Sequence, residues 1–305
     1  MKIETLILGA GAAGMMAACH AGAGTLVVDH ARAPGEKIRI SGGGRCNFTN
    51  YGIEPARFLS QNPHFCKSAL KRYTQWDFLD LVARHGIAWH EKTLGQLFCD
   101  DKATQIVDML VKELRGAGAE LWLRTQVGAI SHADGRFRAV LDREGQRVIV
   151  EARNLVLATG GKSIPKMGAT GLSYEIAQQF GLPLHETRPG LVPFTFDKGR
   201  FADLAGSSLP VTMATDRASF AEALLFTHRG LSGPAVLQCS SYWREGEDIG
   251  IDLLPGVDLV ADMRARRRTE GRRSLRTALG QHLPGRVIDV VTAGTDLSGN
   301  VADWS

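Results

Sequence analysis

The sequence has no closely spaced pair of cysteines. Its five cysteines are scattered through 305 residues without a CxxC pair or the spacing of a metal site; they are Cys19, Cys46, Cys66, Cys99 and Cys239. An odd number without a pattern is more typical of reduced cytosolic thiols than of a secreted disulfide framework. The sequence therefore predicts a cytoplasmic protein with no metal site.

A signal peptide and a membrane-spanning segment are also absent from the predicted organisation. The apolar stretch 5–28, TLILGAGAAGMMAACHAGAGTLVV, contains five glycines and ends in Asp29 and His30, which suits neither. A buried strand, a helix and a second strand explain it better, so we expect a soluble protein with no membrane partner. Lys and Arg number 36 against 32 Asp and Glu, a mildly basic balance that permits an anionic ligand without demanding nucleic acid.

The first thirty residues predict the start of a parallel sheet. A short apolar run over 4–8 precedes a glycine turn, a small-residue helix extends to about Ala21, and 25–28 form the next strand. A strand–helix–strand unit of this kind takes a right-handed crossover. The predicted fold class is therefore α/β, with a doubly wound Rossmann-like domain.

The glycine turn has the Gly9-x-Gly11-x-x-Gly14 pattern of a dinucleotide site. Gly9 permits the tight turn, Gly11 lets the backbone approach a pyrophosphate, and Gly14 lets the helix lie close to the strand. Asp29 closes the second strand, where a carboxylate can accept hydrogen bonds from a ribose. The pattern leaves open whether the dinucleotide is NAD or FAD.

The rest of the chain reads as alternating helices and strands in two domains. Further elements are predicted as helices over 56–85, 102–116 and 171–181, a small antiparallel meander over 119–150, a buried strand over 154–161, and short strands over 210–213, 222–226 and 249–254. The proline-containing segment 183–193 marks a domain crossing. We predict an FAD-binding domain over 1–189 and an inserted α+β domain over 190–305.

A polar glycine-rich loop, KIRISGGGRCNFTN over 37–50, follows the ribose-binding strand. It carries more hydrogen-bonding groups than an NAD fold needs, and it could serve a ribityl chain and a flavin ring. GEKIRISGGGRCNFTN over 35–50 resembles the signature of the BaiN-like family of FAD-dependent oxidoreductases. Three further stretches resemble that family in the same order: GQLF over 95–98, LATGGKSIPKMGATGLSYEIAQQFG over 157–181 and LLFTHRGLSGPAVLQCSS over 224–241.

The resemblance implies an FAD cofactor and a set of residues that hold it. The glycine turn would bind the pyrophosphate, Asp29 the adenosine ribose, 41–47 the ribityl and flavin region, and Val127 the adenine, while 159–161 would form a second turn near the nucleotide. The predicted cofactor-binding residues are Gly9, Gly11, Ala12, Ala13, Gly14, Asp29, Lys37, Ser41, Gly42, Gly43, Gly44, Arg45, Cys46, Asn47, Val127, Thr159, Gly160 and Gly161. No catalytic residue is predicted.

Two side chains of the glycine-rich loop have competing interpretations. Cys46 could be a redox thiol, but such a relay needs a resolving cysteine, and the next one along the chain is Cys66, so a structural or flavin-contact role is favoured. Arg45 could place positive charge near a phosphate or a reduced flavin, or it could make a simple loop salt bridge.

A basic stretch lies in the second domain, with seven arginines between Arg264 and Arg276. It could bind RNA or the phosphate of NADPH, but no aromatic residue interleaves the arginines, so a solvated helix face is favoured. His228, a lone histidine, is expected to be hydrogen-bonded within the fold or to face solvent, and not to act as an acid–base catalyst.

The predicted function is an FAD-dependent oxidoreductase that uses NADH or NADPH to reduce a small organic acceptor, with nucleic acid not expected as a partner. One alternative is an RNA-modifying flavoprotein, suggested by the arginines. Another is a non-catalytic FAD-binding form. Chains of the resembled family are normally longer, and the segment that closes their FAD domain is not found here, which puts tight FAD retention in doubt.

Overall fold

The computed structural model, which describes residues 1–303, divides into two units, Met1–His185 and Glu186–Ser305. The division falls inside the proline-containing segment, close to the predicted boundary between 189 and 190. Residues 304 and 305, which the predicted second domain includes, lie outside the described residues. The assignment of the units to an FAD-binding domain and an insert stays a prediction.

The first unit alternates strands and helices. Its strands are β1 (Lys2–Leu8), β2 (Thr25–Val28), β3 (Asn47–Asn50), β4 (Trp89–Glu91), β5 (Gln96–Cys99), β6 (Glu120–Trp122), β7 (Thr125–Ala133), β8 (Arg136–Arg143) and β9 (Gln146–Leu157). Its α-helices are α1 (Ala12–Ala21), α2 (Glu36–Ile40), α3 (Lys67–Arg72), α4 (Gln75–Arg84), α5 (Thr104–Gly116) and α6 (Leu172–Gln179).

The main sheet of this unit has the order β6-β2-β1-β9-β8-β7. The strands β6, β2, β1 and β9 are parallel neighbours, and β8 and β7 extend the sheet in antiparallel fashion. A parallel sheet whose first strand is followed by a glycine turn and a helix is Rossmann-like. This confirms the predicted α/β fold class.

Helices cover both faces of the parallel strands. On one face, Ile7 and Val27 pack against α1 and α5, whose Met15 and Leu114 are fully buried. On the other face, Leu6 and its neighbours pack with the meander β7–β9 and with α6. Successive residues of a strand point to opposite faces of the sheet, and here both faces are covered. These short strands are therefore apolar on both faces and form continuous hydrophobic runs in the sequence.

Two strands that were predicted separately form a single strand in the structure. They are the last strand of the predicted meander and the buried strand predicted over 154–161. In the structure β9 is continuous: it pairs with β8 at its start and with β1 at its end. Arg153 and Asn154 are both exposed within the strand, and the Asn154 amide donates to the Glu4 carbonyl at 3.3 Å.

The predicted helix over 56–85 is interrupted. Only α3 and α4 are α-helical, and the segment before them contains Pro63 and a single 3₁₀ turn at Pro55–Arg57. A proline lacks the backbone N–H that a helix interior requires. A three-stranded antiparallel sheet with the order β3-β5-β4 was not predicted.

The second unit combines a sheet with helices, as the predicted α+β class requires. Its strands are β10 (Phe194–Thr195), β11 (Ser208–Ala214), β12 (Ser219–Thr227), β13 (Gly230–Ser232) and β14 (Gly250–Asp252), and its helices are α7 (Pro234–Ser240), α8 (Leu259–Thr269), α9 (Leu275–Leu279) and α10 (Gly285–Val291). The sheet is antiparallel with the order β10-β13-β12-β11-β14. His228 is exposed, as expected.

None of the helices within residues 1–303 combines the length and the apolar character needed to cross a bilayer. The predicted cytoplasmic location stays a prediction.

Candidate dinucleotide site

The turn between β1 and α1 is closed by two glycines for steric reasons. Gly9 has a φ of 105°, and a Cβ placed on it would overlap the carbonyl of Ala158 at the end of β9. A Cβ on Gly14 would overlap the carbonyl oxygen of Gly9. Both positions therefore require glycine for the close approach of α1 to the strands, in agreement with the geometric reason for the fingerprint.

Gly11 has a different environment from these two glycines. It precedes α1 with φ −82° and ψ −170°, a conformation open to any residue, and a Cβ on it would meet nothing within 4 Å. Within residues 1–303 no side chain caps this helix end. The first N–H groups of α1 therefore have no capping side chain in this part of the protein, which suits a phosphate.

The carboxylate of Asp29 holds the glycine turn in place. It accepts hydrogen bonds from the backbone N–H groups of Ala10, at 2.6 Å, and Ala31, at 2.9 Å. The His30 Nδ1 atom lies 3.3 Å from the same carboxylate. A carboxylate has about four lone-pair sites, so Asp29 can accept a further hydroxyl donor while it supports the turn.

A second backbone turn follows β9 at Thr159 and Gly160. The Thr159 and Ser173 hydroxyls lie 2.6 Å apart, which ties the turn to α6. The Lys37 ammonium approaches from α2 and donates to the Gly161 carbonyl at 3.4 Å and to the Ser163 hydroxyl at 3.3 Å. A positive charge therefore lies beside the two turns.

The glycine-rich loop forms a 3₁₀ turn over Ser41–Gly44, in which Gly42 and Gly43 have φ of 57° and 66°. The Cys46 residue that follows is buried with a φ of 53°, and its N–H donates to the Ser41 carbonyl at 3.0 Å. Arg45 is exposed and makes no ion pair within residues 1–303, so the loop salt bridge considered for it is not formed there.

These segments surround one cavity of about 960 Å³. The predicted residues that line it are Gly9, Gly11, Ala12, Ala13, Asp29, Lys37, Ser41, Cys46, Asn47, Thr159 and Gly160. The predicted residues that lie outside the lining are Gly14, Gly42, Gly43, Gly44, Arg45, Val127 and Gly161. Gly14 packs beneath the turn, and Val127 lies in β7 opposite Leu141.

Part of the lining was not predicted. Phe48, Tyr73 and Phe78 contribute aromatic surface, and Ser173 and Tyr174 contribute hydroxyls from α6. Phe48 lies within the glycine-rich loop 37–50, directly after the residues 41–47 that were predicted to contact the cofactor, and could have been found by extending that range. Nothing in the sequence around Tyr73 and Phe78 indicates a ligand site. Which side chains of the α3–α4 region reach the cavity depends only on how these helices pack.

The thiol of Cys46 lies near Cys99, although the two cysteines are far apart in the sequence. The antiparallel ladder joins Asn47 of β3 to Phe98 of β5, so Cys46 and Cys99 are adjacent across the strands. Burial raises the pKa of Cys46, and it raises the pKa of Cys99 to about 11, with the nearby Cys46 adding to the effect. Both thiols are therefore protonated and unreactive near neutral pH.

The cavity fits a flavin dinucleotide. Its volume is at the upper end of the range of about 300–1,000 Å³ found for ligand pockets. One part presents free N–H groups, a carboxylate and an ammonium, and another presents aromatic and aliphatic surface. Among the three glycines of the fingerprint, only Gly11 has open space where a side chain would stand, and this is the position at which the fingerprint brings a pyrophosphate to the backbone.

Comparisons with known proteins agree with this geometry. The family described as "HI0933-like protein Rossmann domain" matches residues 3–294. The chain is 52% identical over 295 residues to the ribosomal RNA dihydrouridine synthase of Escherichia coli, and 47% identical over 296 residues to that of Haemophilus influenzae. Each match covers 94% of this chain and 73% of the relative. A 3-dehydro-bile acid delta(4,6)-reductase of Clostridium scindens is 28% identical over 270 residues, or 85% of this chain and 65% of that protein.

These findings correct two predictions. Reduction of a small organic acceptor was wrong as the main function, because the relatives at 47–52% identity are named for a modification of ribosomal RNA. The expectation that nucleic acid is not a partner is wrong for the same reason. The prediction relied on the absence of aromatic residues among the arginines. That absence does not exclude RNA, because an enzyme can bind the phosphates of the RNA backbone without stacking side chains on the bases. The relatives support the prediction of an enzyme and the resemblance to FAD-dependent oxidoreductases, whereas the use of NADH or NADPH stays a prediction.

Proposed function

The chain belongs to the HI0933-like family, and from this membership we propose that it is a flavin-dependent dihydrouridine synthase that acts on ribosomal RNA. The proposal rests on the 52% identity between this chain and a relative of that name. The match covers 94% of the chain, so it extends over both units. A fold alone would not specify the reaction.

The residues of the cavity divide the work of holding FAD. The N–H groups of Ala12 and Ala13 would face the pyrophosphate, Asp29 would accept from the ribose, and Lys37 would place a positive charge beside the phosphates. The loop 41–47 and the aromatic side chains would contact the ribityl and flavin region and exclude water. When bound and reduced, FAD would supply the hydride for reduction of the C5–C6 double bond of uridine, and a proton is added to the other carbon.

A uridine within folded RNA is reached only when its base leaves the stack. The enzyme must therefore admit a planar base to the flavin while the charged RNA backbone stays outside. We propose NADH or NADPH as the source of electrons, because a reductase needs a two-electron donor that renews the flavin after each turnover.

The proposal is tested in cells that lack their own ribosomal RNA dihydrouridine synthase. Expression of this chain should restore dihydrouridine in purified ribosomal RNA, measured by mass spectrometry of the digested nucleosides. Expression of the Escherichia coli relative is the positive control. Restoration by the relative but not by this chain, at equal protein levels, would contradict the proposal.

A further inference from the structure

The seven arginines of the basic stretch divide into two groups. Three of them are held by acids: Arg266 Nε lies 2.7 Å from Asp262, Arg273 lies 2.8 Å from Glu270, and Arg276 lies 2.8 Å from Asp289. Arg266 pairs with Asp262 within α8, Arg273 pairs with Glu270 three residues before it, and Arg276 joins α9 to α10, so each of the three already has a partner in a charge-assisted hydrogen bond.

The other four arginines are Arg264, Arg267, Arg268 and Arg272. All four are exposed, and none makes an ion pair or a side-chain hydrogen bond within residues 1–303. Positions 264, 267 and 268 are three and four residues apart on α8, so their side chains share one helix face. Arg272 extends this basic face past the end of α8.

The basic face borders a concave surface of about 660 Å³. Its lining contains Arg267, Arg268, Arg272 and Arg273, together with the polar residues Thr269 and Asn300. Two acids also line it, but Glu270 is already paired with Arg273, and Asp303 accepts from the Asn300 N–H at 2.8 Å. With four arginines against two acids, the net charge of this lining is positive.

Local helix physics does not account for this arrangement. The negative end of the α8 dipole favours a cation in the last turn, but the effect is confined to that turn. Arg264 lies before it, and Arg272 lies after the helix. The cations are all arginine, with no lysine between 259 and 291. Guanidinium groups bind phosphates in a bidentate manner and stack on bases, whereas solubility alone needs only charge.

We propose that Arg264, Arg267, Arg268 and Arg272 form a surface that binds the RNA backbone of the substrate. The proposal rests on the proposed function for the identity of the polyanion, and on the division of the arginines for the location. It assigns the second unit to holding RNA by its phosphates, while the cavity of the first unit holds the cofactor.

The test compares two variants of the full chain with the same change of charge. One is R264Q/R267Q/R268Q/R272Q, and the control is R115Q/R138Q/R147Q/R153Q, whose four arginines are exposed and belong to the first unit. Binding of a fluorescein-labelled oligouridylate is measured by anisotropy over a range of salt concentrations. Binding by the first variant should weaken about tenfold or more, and the slope of log K against log salt should fall by about 3. The control should bind like the wild type.

Equal weakening in both variants would overturn the proposal, since it would show only the effect of net charge. Unchanged binding by the first variant would also overturn it. Unlabelled RNA and polyglutamate are also compared as competitors at equal concentration of negative charge. If polyglutamate displaces the labelled RNA as strongly as unlabelled RNA does, the partner would be an acidic protein instead. These results concern binding alone, so a failure of the proposed reaction would be recognised separately, by RNA that is bound but never reduced.

Discussion

At the scale of single residues, Gly11 separates ligand binding from folding. Its neighbours Gly9 and Gly14 have no space for a Cβ, whereas a Cβ at Gly11 would meet nothing within 4 Å. We predict that Gly11→Val leaves the urea midpoint of the FAD-free protein unchanged but abolishes FAD binding, because the valine would stand where the pyrophosphate must lie.

Flavin absorbance of purified protein, together with FAD titration, measures this effect. Gly116→Val is the matched control, because a Cβ there also meets nothing within 4 Å and the position lies outside the cavity. Wild-type flavin occupancy in the Gly11→Val protein would show that the pyrophosphate lies elsewhere.

Cys99 provides a prediction on pH. Its folded pKa of about 11 lies above the unfolded value of about 8.5, so the folded state holds the thiol proton more tightly. This contribution to the free energy of unfolding is complete below about pH 8.5 and is lost as the pH rises towards 11.

We therefore expect Cys99→Ala to be less stable than the wild type at neutral pH, but to lose less stability between about pH 8 and pH 10.5. Urea denaturation at several pH values gives both free energies. Parallel pH profiles for the two proteins would show that the thiol pKa is not raised by folding.

The sequence predicted the residues of the glycine turn because their reasons are local. The turn needs a positive φ at Gly9 and a close approach of Gly14 to the Gly9 carbonyl, and both of these lie within a few residues of the chain, whereas the contact of Gly9 with Ala158 is long-range and could not be predicted. The neighbourhood of Cys46 and Cys99 could not be predicted, because it depends on the pairing of β3 with β5 across about fifty residues.

At the scale of elements, the strands that are apolar on both faces and the helix with one apolar face were predicted well. The strands β1 and β2 and the helix α5 agree with their predicted ranges within two residues. The end of the predicted meander and the predicted strand over 154–161 belong to one strand, β9, and only its pairing with β8 and with β1 shows this.

The meander offers a test of how the first unit is stabilised. Leu141 of β8 is fully buried among residues that also contact the parallel strands. We predict that Leu141→Ala lowers the free energy of unfolding by about 2–5 kcal/mol, since it leaves a cavity in this core. Arg138→Ala on the exposed face of the same strand should change it by less than about 0.5 kcal/mol.

Chemical denaturation of the FAD-free protein measures both values. If the two substitutions had equal effects, β8 would not contribute to the core in the way that the structure indicates.

At the scale of the whole molecule, the mildly basic composition permitted an anionic ligand but did not identify it. A formal charge of +4 is compatible with a dinucleotide alone or with a dinucleotide and RNA. The seven arginines are equivalent in the sequence, and only the positions of Asp262, Glu270 and Asp289 divide them into paired and free groups. The choice of RNA as a partner came from the relatives.

The central claim is that this chain uses FAD to reduce uridine in ribosomal RNA. The most direct measurement is a single turnover without oxygen: the FAD-loaded chain is reduced, excess reductant is removed, and ribosomal RNA that lacks dihydrouridine is added. We predict that the absorbance of oxidised flavin returns and that dihydrouridine appears in an equal amount, while the Gly11→Val protein forms none. Flavin that stays reduced in the presence of RNA, or that is reoxidised without forming dihydrouridine, would contradict the claim.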